Sequence, residues 1–591
     1  MLRKINPGNV CTDSRWQGRI CPIHFAQNSR KQVARINYAT KADQHSSGPS
    51  QSDPVTTTQP FPSWFGKPNV EELKDYEHPV ALEDFRRMGY QMVDSICDYY
   101  SSLPHQRVRP DVQPGFLRGQ IPPCPPEQPE SFDEIIRDVH DKLMPGVTHW
   151  QSPSFFAYFP SNASFPAALA DMWSSALSMI GFSWAASPVS TELEMAMMDW
   201  LAELCGLPAS FRCNGGSGPG GGVIQGTASE AAVVALLAAR ARALRGKSPG
   251  DKLKLVAYAS DQAHSCFRKA CMVVGIDHVR SLPTREEDNW ELRPEVLQTA
   301  IFADLCAGLI PCFVMATIGT TSSCAVDPVG KLADVATCND CWLHVDAAYA
   351  GSAALLPEQR VIHFQGLDHV DSYSFNPHKW LLTTFDCCAL WVADSGPLKE
   401  ALSLTPVFLR ATGNALDYKD WQIPLGRRFR SLKLYFVLRM YGSEKLRSYL
   451  RHHIALAQVF AAAVDSDPRF ELAAPQRFGL VCFRLRDVPC KVNEALLEEI
   501  NASGRLFLIH TELGGRFTLR LAVGSATTQL EHVEAAWKEI RIAASGVLQR
   551  FGLSSATGVS GPDLDLGGTV KTDAGGISEA ADVEAMAPHC S

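Results

Sequence analysis

Apolar positions recur along this chain at two spacings, and each predicts a different kind of element. Leu82, Phe85, Met88, Met92, Ile96 and Tyr99 stand three or four apart, which puts them on one face of a helix. That stripe reads as a packing face rather than a cofactor-binding one. A proline-rich connection over 104–129 follows it. Farther along, short runs replace the stripe. Residues 253–258 (LKLVAY) and 517–523 (FTLRLAV) read as strands, and 341–345 (CWLHV), apolar and aromatic throughout, reads as a strand of a buried parallel sheet. Residues 231–237 (AAVVALL) read as a helix. The longest apolar run, 231–239, ends at Arg240, far short of a membrane span.

These elements divide the chain. Residues 1–62 lack periodicity and are rich in Ser, Thr, Gln and Asn, so disorder is expected there. A helical segment over 63–164 precedes an alternating strand and helix series over 165–436, a smaller domain over 437–551 and a patternless tail over 552–591. The first segment has no apolar core of a secretory signal. Its basic, acid-poor composition is compatible with an organellar transit peptide.

Composition narrows the classes. At 591 residues the chain exceeds one ordinary core, and 46% hydrophobic with 20% charged residues is average for a soluble protein. A formal net charge of -8, with no basic stripe interleaved with aromatics, argues against nucleic-acid binding. The 18 cysteines are scattered or adjacent, as at Cys387-Cys388, which fits a reducing compartment. Cys338-Asn339-Asp340-Cys341 has no second pair at zinc spacing and reads as structural; no metal is expected.

Candidate chemistry centres on Ser374-Phe375-Asn376-Pro377-His378-Lys379-Trp380, where a lysine follows a strand-like run. Most lysines are surface charges, but a desolvated lysine amine attacks carbonyls, including the aldehyde of pyridoxal phosphate. Such a site also needs a carboxylate for the pyridine nitrogen and an anchor for the phosphate. Asp346 stands at the carboxyl end of the 341–345 strand, the edge where open α/β sheets bind ligands, although a helix-capping aspartate is the plainer alternative. The run from Gly220 to Glu230 offers glycines able to close around an anion, then a helix start at Thr227, Ala228 and Ser229. Gly216-Ser217-Gly218-Pro219-Gly220-Gly221 formally matches a dinucleotide fingerprint, but no apolar strand precedes it and Pro219 removes an N–H. His264, after the 253–258 strand, is either structural or able to lie on a cofactor ring and reach a substrate carboxylate.

Taken together, these residues carry a family resemblance. From about Trp64 to about Phe551 the chain resembles the pyridoxal-phosphate-dependent aromatic L-amino-acid decarboxylases of plants and animals. The matching motifs include Phe156-Ala157-Tyr158-Phe159-Pro160, Met197-Met198-Asp199-Trp200-Leu201, His344-Val345-Asp346-Ala347-Ala348-Tyr349-Ala350-Gly351 and Trp421-Gln422-Ile423-Pro424-Leu425-Gly426-Arg427-Arg428. The resemblance implies an α/β, aminotransferase-like (type I) fold: a large mostly parallel-sheet domain, an N-terminal helical dimerisation segment lying over the partner subunit, and a small C-terminal α+β domain. It implies pyridoxal 5'-phosphate as cofactor, with Lys379 as the lysine that condenses with its aldehyde, Asp346 at the pyridine nitrogen and His264 stacked on the ring. Ala228, Ser229 and Asn376 would hold the phosphate, with His378 also in the cofactor site, Ala348 on the opposite ring face and Thr317 beside the lysine. Trp150, Tyr158, Phe159 and Pro160 would wall the substrate pocket, and the neighbouring subunit of a homodimer would contribute Ile180 and Phe182. Family members are mostly cytoplasmic, so that location comes first.

One position departs from the family pattern. Where the decarboxylases carry a loop tyrosine in Pro-x-Tyr-Leu, this chain reads Pro406-Val407-Phe408-Leu409. A phenol can donate a proton to the carbon left when CO2 departs; a phenyl ring cannot. Among plant members that change is associated with aromatic acetaldehyde synthases, which use O2 and release aldehyde, CO2, NH3 and H2O2. The alternative is a simple decarboxylase giving the amine, with Tyr418 as the obvious substitute donor; yet the family's ordinary decarboxylases share that stretch, so Tyr418 is expected to serve elsewhere. Gly426 stands where tryptophan-type and animal dopa-type members of the family carry glycine, which leaves room for an indole; the resemblance implies an aromatic L-amino acid, with phenylalanine, dopa or tryptophan favoured and unranked.

Overall fold

The computed structural model describes residues 80–213, 219–404 and 416–553. Phe408, residues 1–62 and all of the 552–591 tail beyond residue 553 lie outside the described residues.

The strand-like runs assemble into one seven-stranded sheet. Its members are β1 (Gly221–Gln225), β2 (Leu255–Ser260), β3 (His278–Leu282), β4 (Ile310–Thr317), β5 (Trp342–Asp346), β6 (Ser372–Phe375) and β7 (Cys388–Val392), in the order β1-β7-β6-β5-β4-β2-β3. Pairings from β3 to β6 are parallel, and β7 alone runs against its neighbours. The continuous apolar runs are explained by burial on both faces. In β4, Val314 and Ala316 join one core while Phe313 and Met315 join the other, and β5 divides Leu343 and Val345 from Trp342 in the same way.

Helices Ala228–Ala243 and Cys266–Val274 pack into one of these cores; helices Pro188–Cys205, Pro294–Cys306 and Val329–Cys338 pack into the other. The mostly parallel, doubly covered sheet is the architecture the resemblance implied.

A second sheet contains β8 (Phe470–Leu472), β9 (Leu480–Leu485), β10 (Ile509–Leu513) and β11 (Arg516–Ala522), antiparallel in the order β10-β11-β9-β8. Leu519 and Leu521 of β11 face a core shared with Phe460 and Trp537. The intervening residues point the other way. The long helix Ser431–Ser466 breaks its helical path at Gly442 (φ 69°), and the domain boundary expected at 436/437 falls inside it. The early segment around 155 also joins this sheet: the Phe156 N–H donates to the Phe507 carbonyl at 3.1 Å, and the Ala522 N–H donates to the Phe156 carbonyl at 2.9 Å.

Two expectations need amendment. The helix predicted from the first stripe is present as Leu82–Ser102, but none of its residues is buried within this chain, and Leu82 and Phe85 are 73% and 53% exposed. Apart from Met88 and Tyr99, which are partly buried, its apolar stripe stays exposed among the described residues of this chain. Second, Gly221 and Gly222 do not form an anion-binding loop; they are the first residues of β1. A Cβ on Gly222 would stand 2.5 Å from Met198 Cε and 2.7 Å from Trp391 Nε1, so close packing is what demands glycine. Gly222→Ala is therefore expected to destabilise by roughly 1–3 kcal/mol through overpacking, read as a lowered melting temperature with the fold retained.

Candidate active site

A cavity of about 230 Å³ opens at the carboxyl edge of the large sheet. It is lined from strand ends that the sequence separates widely: Thr227, Ala228 and Ser229 after β1, His264 after β2, Thr317 closing β4, Asp346 and Ala348 at β5, and Asn376, His378 and Lys379 after β6. Parallel strands deliver their following loops to one edge, so every residue expected around the cofactor arrives there. Phe159, Gly319, Thr321 and Tyr349 complete the wall.

Asp346 is fixed from two sides. Its Oδ1 accepts the Ala348 N–H at 2.9 Å, and its Oδ2 lies 3.9 Å from the Cys266 thiol. Burial pushes that thiol well above its ordinary range, so it stays protonated and can only donate. The Asn376 N–H donates to the Ala348 carbonyl at 3.0 Å, which ties the ends of β5 and β6 together.

Lys379 sits in a single helical turn, Pro377–Trp380, directly after β6. Burial lowers the pKa of its amine; the Asp346 carboxylate opposes this without cancelling it. The amine lies 5.5 Å from the centre of the Phe159 ring, which itself stacks on Tyr349 at 3.8 Å. His264 is held neutral chiefly by burial, with Asp346 opposing and Lys379 adding to the effect. Its Nδ1 accepts the Cys266 N–H at 3.2 Å, which leaves the proton on Nε2. His378 is pushed down to about 4 by burial and by Lys379, while its Nδ1 accepts the Cys387 N–H at 2.9 Å.

Whether these residues suit pyridoxal phosphate can be asked of the groups left over. Thr317 Oγ1 and Asn376 Oδ1 are buried at the cavity without a hydrogen-bond partner, as expected of groups that complete their bonding with a bound molecule. Thr227 caps the helix Ala228–Ala243 through its side chain, which accepts the Glu230 N–H. The first-turn N–H groups of that sixteen-residue helix therefore meet the cavity with the positive end of its dipole, a setting for phosphate. A buried carboxylate, a buried amine and this helix end are the three features the cofactor needs, and they share one cavity.

Other expected residues lie elsewhere in this chain. Trp150 and Tyr158 stack on each other at 5.4 Å, outside the residues that line the cavity. A Cβ on Gly524 would come within 2.4 Å of Pro160, so that proline serves packing against the loop after β11. Ile180 is exposed, and its Cγ2 is 3.6 Å from where a Cβ on Gly426 would stand. Ile180, Phe182 and Gly426 do not reach this chain's own cavity.

Sequence reasoning missed Asp327, buried ten residues beyond Thr317. It accepts the Thr317 N–H at 2.8 Å and returns its own N–H to the Thr317 carbonyl at 2.9 Å. No local spacing signals such a clamp, since it depends on the intervening loop doubling back through the Ile318 and Val326 bridge.

Residues 114–486 match the pyridoxal-dependent decarboxylase conserved domain. A phenylacetaldehyde synthase of Arabidopsis thaliana is 50% identical over 486 residues, covering 80% of this chain and 98% of the relative. An aromatic-L-amino-acid decarboxylase of Bos taurus is 50% identical over 489 residues, covering 81% and 99%. Among solved structures, the Oryza sativa TDC with PLP and tryptamine superposes with a TM-score of 0.78 at 44% identity, covering 80% of this chain and 99% of that one.

Proposed function

This chain belongs to the pyridoxal-dependent decarboxylase family, and we propose that within it the protein converts an aromatic L-amino acid, O2 and water into the aromatic acetaldehyde, CO2, NH3 and H2O2. The coarser statement is established by membership: the protein is a lyase that uses pyridoxal 5'-phosphate. When bound, that cofactor supplies an electron-withdrawing ring that accepts the electron pair released with CO2.

The chain's own residues divide the remaining work. Lys379, whose amine burial makes easier to deprotonate, would be the group that condenses with the cofactor aldehyde. Asp346, held by Ala348 and Cys266, would face the pyridine nitrogen and favour its protonated form. His264, with its Nε2–H free to donate, would pack on the ring, and the helix starting at Ala228 and Ser229 would hold the phosphate with Asn376 beside it. Thr317 and Ala348 would hold the ring in place, so that the substrate carboxylate is presented for loss.

The observation that carries the aldehyde reading is Phe408 in place of a loop tyrosine. The phenol considered as a substitute donor supports it: the Tyr418 O–H donates to the Gly222 carbonyl at 3.0 Å, and burial drives its pKa far above the usual range. Tyr349 lines the cavity, but burial drives its pKa well above the usual range and makes it a poor acid. Neither stands in for the missing donor. Formation of the amine is the second reading, favoured by the equal identity to the Bos taurus decarboxylase.

Ile180, Phe182 and Gly426, together with the uncovered helix Leu82–Ser102, belong in this reading to a homodimer in which one subunit completes its partner's pocket. The described cysteines are free thiols, which favours the cytoplasm, and no described helix is long and apolar enough to cross a membrane.

An oxygen electrode with parallel product analysis tests the reading. One O2 consumed and one peroxide formed per aldehyde is the expected result; amine as sole product without oxygen uptake rejects it.

A further inference from the structure

Asp327 closes the neck of a loop that carries one side of the cavity. It stands ten residues beyond Thr317, and the cavity-lining residues Thr317, Gly319 and Thr321 all lie at that neck or within the loop. The Ile318 and Val326 bridge forms the neck, and the Gly319 and Thr320 N–H groups donate to the Ala325 carbonyl at 2.9 and 3.0 Å. At the tip, the Ser322 hydroxyl donates to Gln262, two residues before His264, and the Ser322 carbonyl accepts the Cys482 thiol at 3.2 Å. The seating of this loop therefore bears on Thr317 and His264 alike.

A carboxylate is a costly choice for such a place. Asp327 is 1% exposed, and both its oxygens are taken by backbone: Oδ2 accepts the Thr317 N–H and Oδ1 the Leu292 N–H, each at 2.8 Å. The charged groups that bear on it are two more acids, Glu291 beside Leu292 and Asp261 just after β2; Glu291 is itself paired with Arg477 at 2.6 Å. Burial pushes the Asp327 carboxyl up to about 6, the two N–H bonds oppose this, and the neighbouring acids add to it. What the charge supplies is an acceptor for each N–H. A protonated acid would turn a hydroxyl, and an amide an NH2 group, toward one of them.

We propose that Asp327 is a positioning residue for this wall of the site, and that the loop grips pyridoxal phosphate fully only while both N–H bonds are made to an ionised carboxylate. Asp327 does not line the cavity and acts through Thr317. The Thr317 N–H and carbonyl are both held by Asp327, while its Oγ1, buried without a partner in the protein, is left for the bound molecule. Protonation of Asp327 releases one N–H and loosens the neck.

The inference rests on this cavity holding the cofactor, and its test reads cofactor release from diluted holoenzyme, timed by loss of the visible band. Well above pH 6, Asp327→Asn should release the cofactor about 10-fold faster than native protein, the scale of one hydrogen bond to a charged group. Well below pH 6, native Asp327 is protonated and the two rates should converge. Titration of the phosphate is common to both proteins and cancels in their ratio. Stability should move the other way. Between the ordinary 3.8 and about 6 the folded chain binds more protons at Asp327 than the unfolded one, so stability falls as pH rises through that window. Asp327→Asn escapes that cost, and its apoprotein should melt no lower than the native one at neutral pH. Glu291→Gln removes a facing acid and should lower the pH at which release quickens.

Equal release rates above pH 6, a ratio that does not change with pH, or a lower-melting Asp327→Asn apoprotein would each overturn the proposal. If that variant does not fold, Glu291→Gln decides, an unmoved pH course counting against the clamp. Asn376→Ala, which removes another partnerless group at the cavity, should hasten release at every pH. If it changes nothing, the cofactor is not held in this cavity, and the proposal falls with the site rather than with the clamp.

Discussion

Lys379→Met is expected to abolish turnover, by more than roughly 10³-fold, the scale seen when a nucleophile that acts as a unit with its partners is removed. The cofactor's lysine-linked visible band should vanish with it. The same substitution should also make the apoprotein more stable. Lys379 is buried, and the folded protein holds its pKa below the ordinary 10.5. Between the folded value and 10.5 the unfolded chain binds more protons at this residue, so stability rises with pH across that window. Below the window the full penalty of burying an ammonium applies. Methionine carries no such penalty, so the variant apoprotein should melt above the native apoprotein at neutral pH, with the gap closing as pH approaches 10.5. Calorimetric scans of both apoproteins across that range make the check. A variant that melts lower throughout would mean that the amine is not desolvated.

Phe408→Tyr carries the second large effect. If the phenyl ring is the reason that O2 rather than a proton meets the reacting carbon, restoring a phenol should turn the product from aldehyde to amine. A positioned general acid contributes about 10²- to 10⁴-fold, so the ratio of amine to aldehyde should rise by at least about 10²-fold. Oxygen uptake and peroxide should fall together with aldehyde. Tyr418→Phe is the matching control: its O–H is committed to Gly222, so it should alter stability and leave the product unchanged. A Tyr418→Phe variant that changed the product would move the missing donor there.

The sequence made the cofactor half of the site readable and left the wall of the substrate half obscure, for physical reasons. Thr317 and Asp346 each close a strand whose burial on both faces makes it an apolar run, Lys379 follows a strand that sends Tyr373 and Phe375 into one core, and a parallel sheet brings such ends together by construction. Gly222, in the run before Thr227, misled because its need for small volume comes from Met198 and Trp391, remote in sequence. Trp150 and Tyr158, aromatic and close to Phe159 in sequence, stack with each other instead of lining this chain's cavity.

The placement of residues 155–160 against β11 bears on the order in which the protein comes into being. Phe159 is one wall of the cavity, and its segment is held by the Ala522 N–H, so that wall stays loose until the ribosome has released residue 522. The seven-stranded sheet ends at residue 392, so a nascent chain that holds all of its strands still lacks the partner strand that fixes one wall of the cavity, and that wall is complete only once β11 has been made.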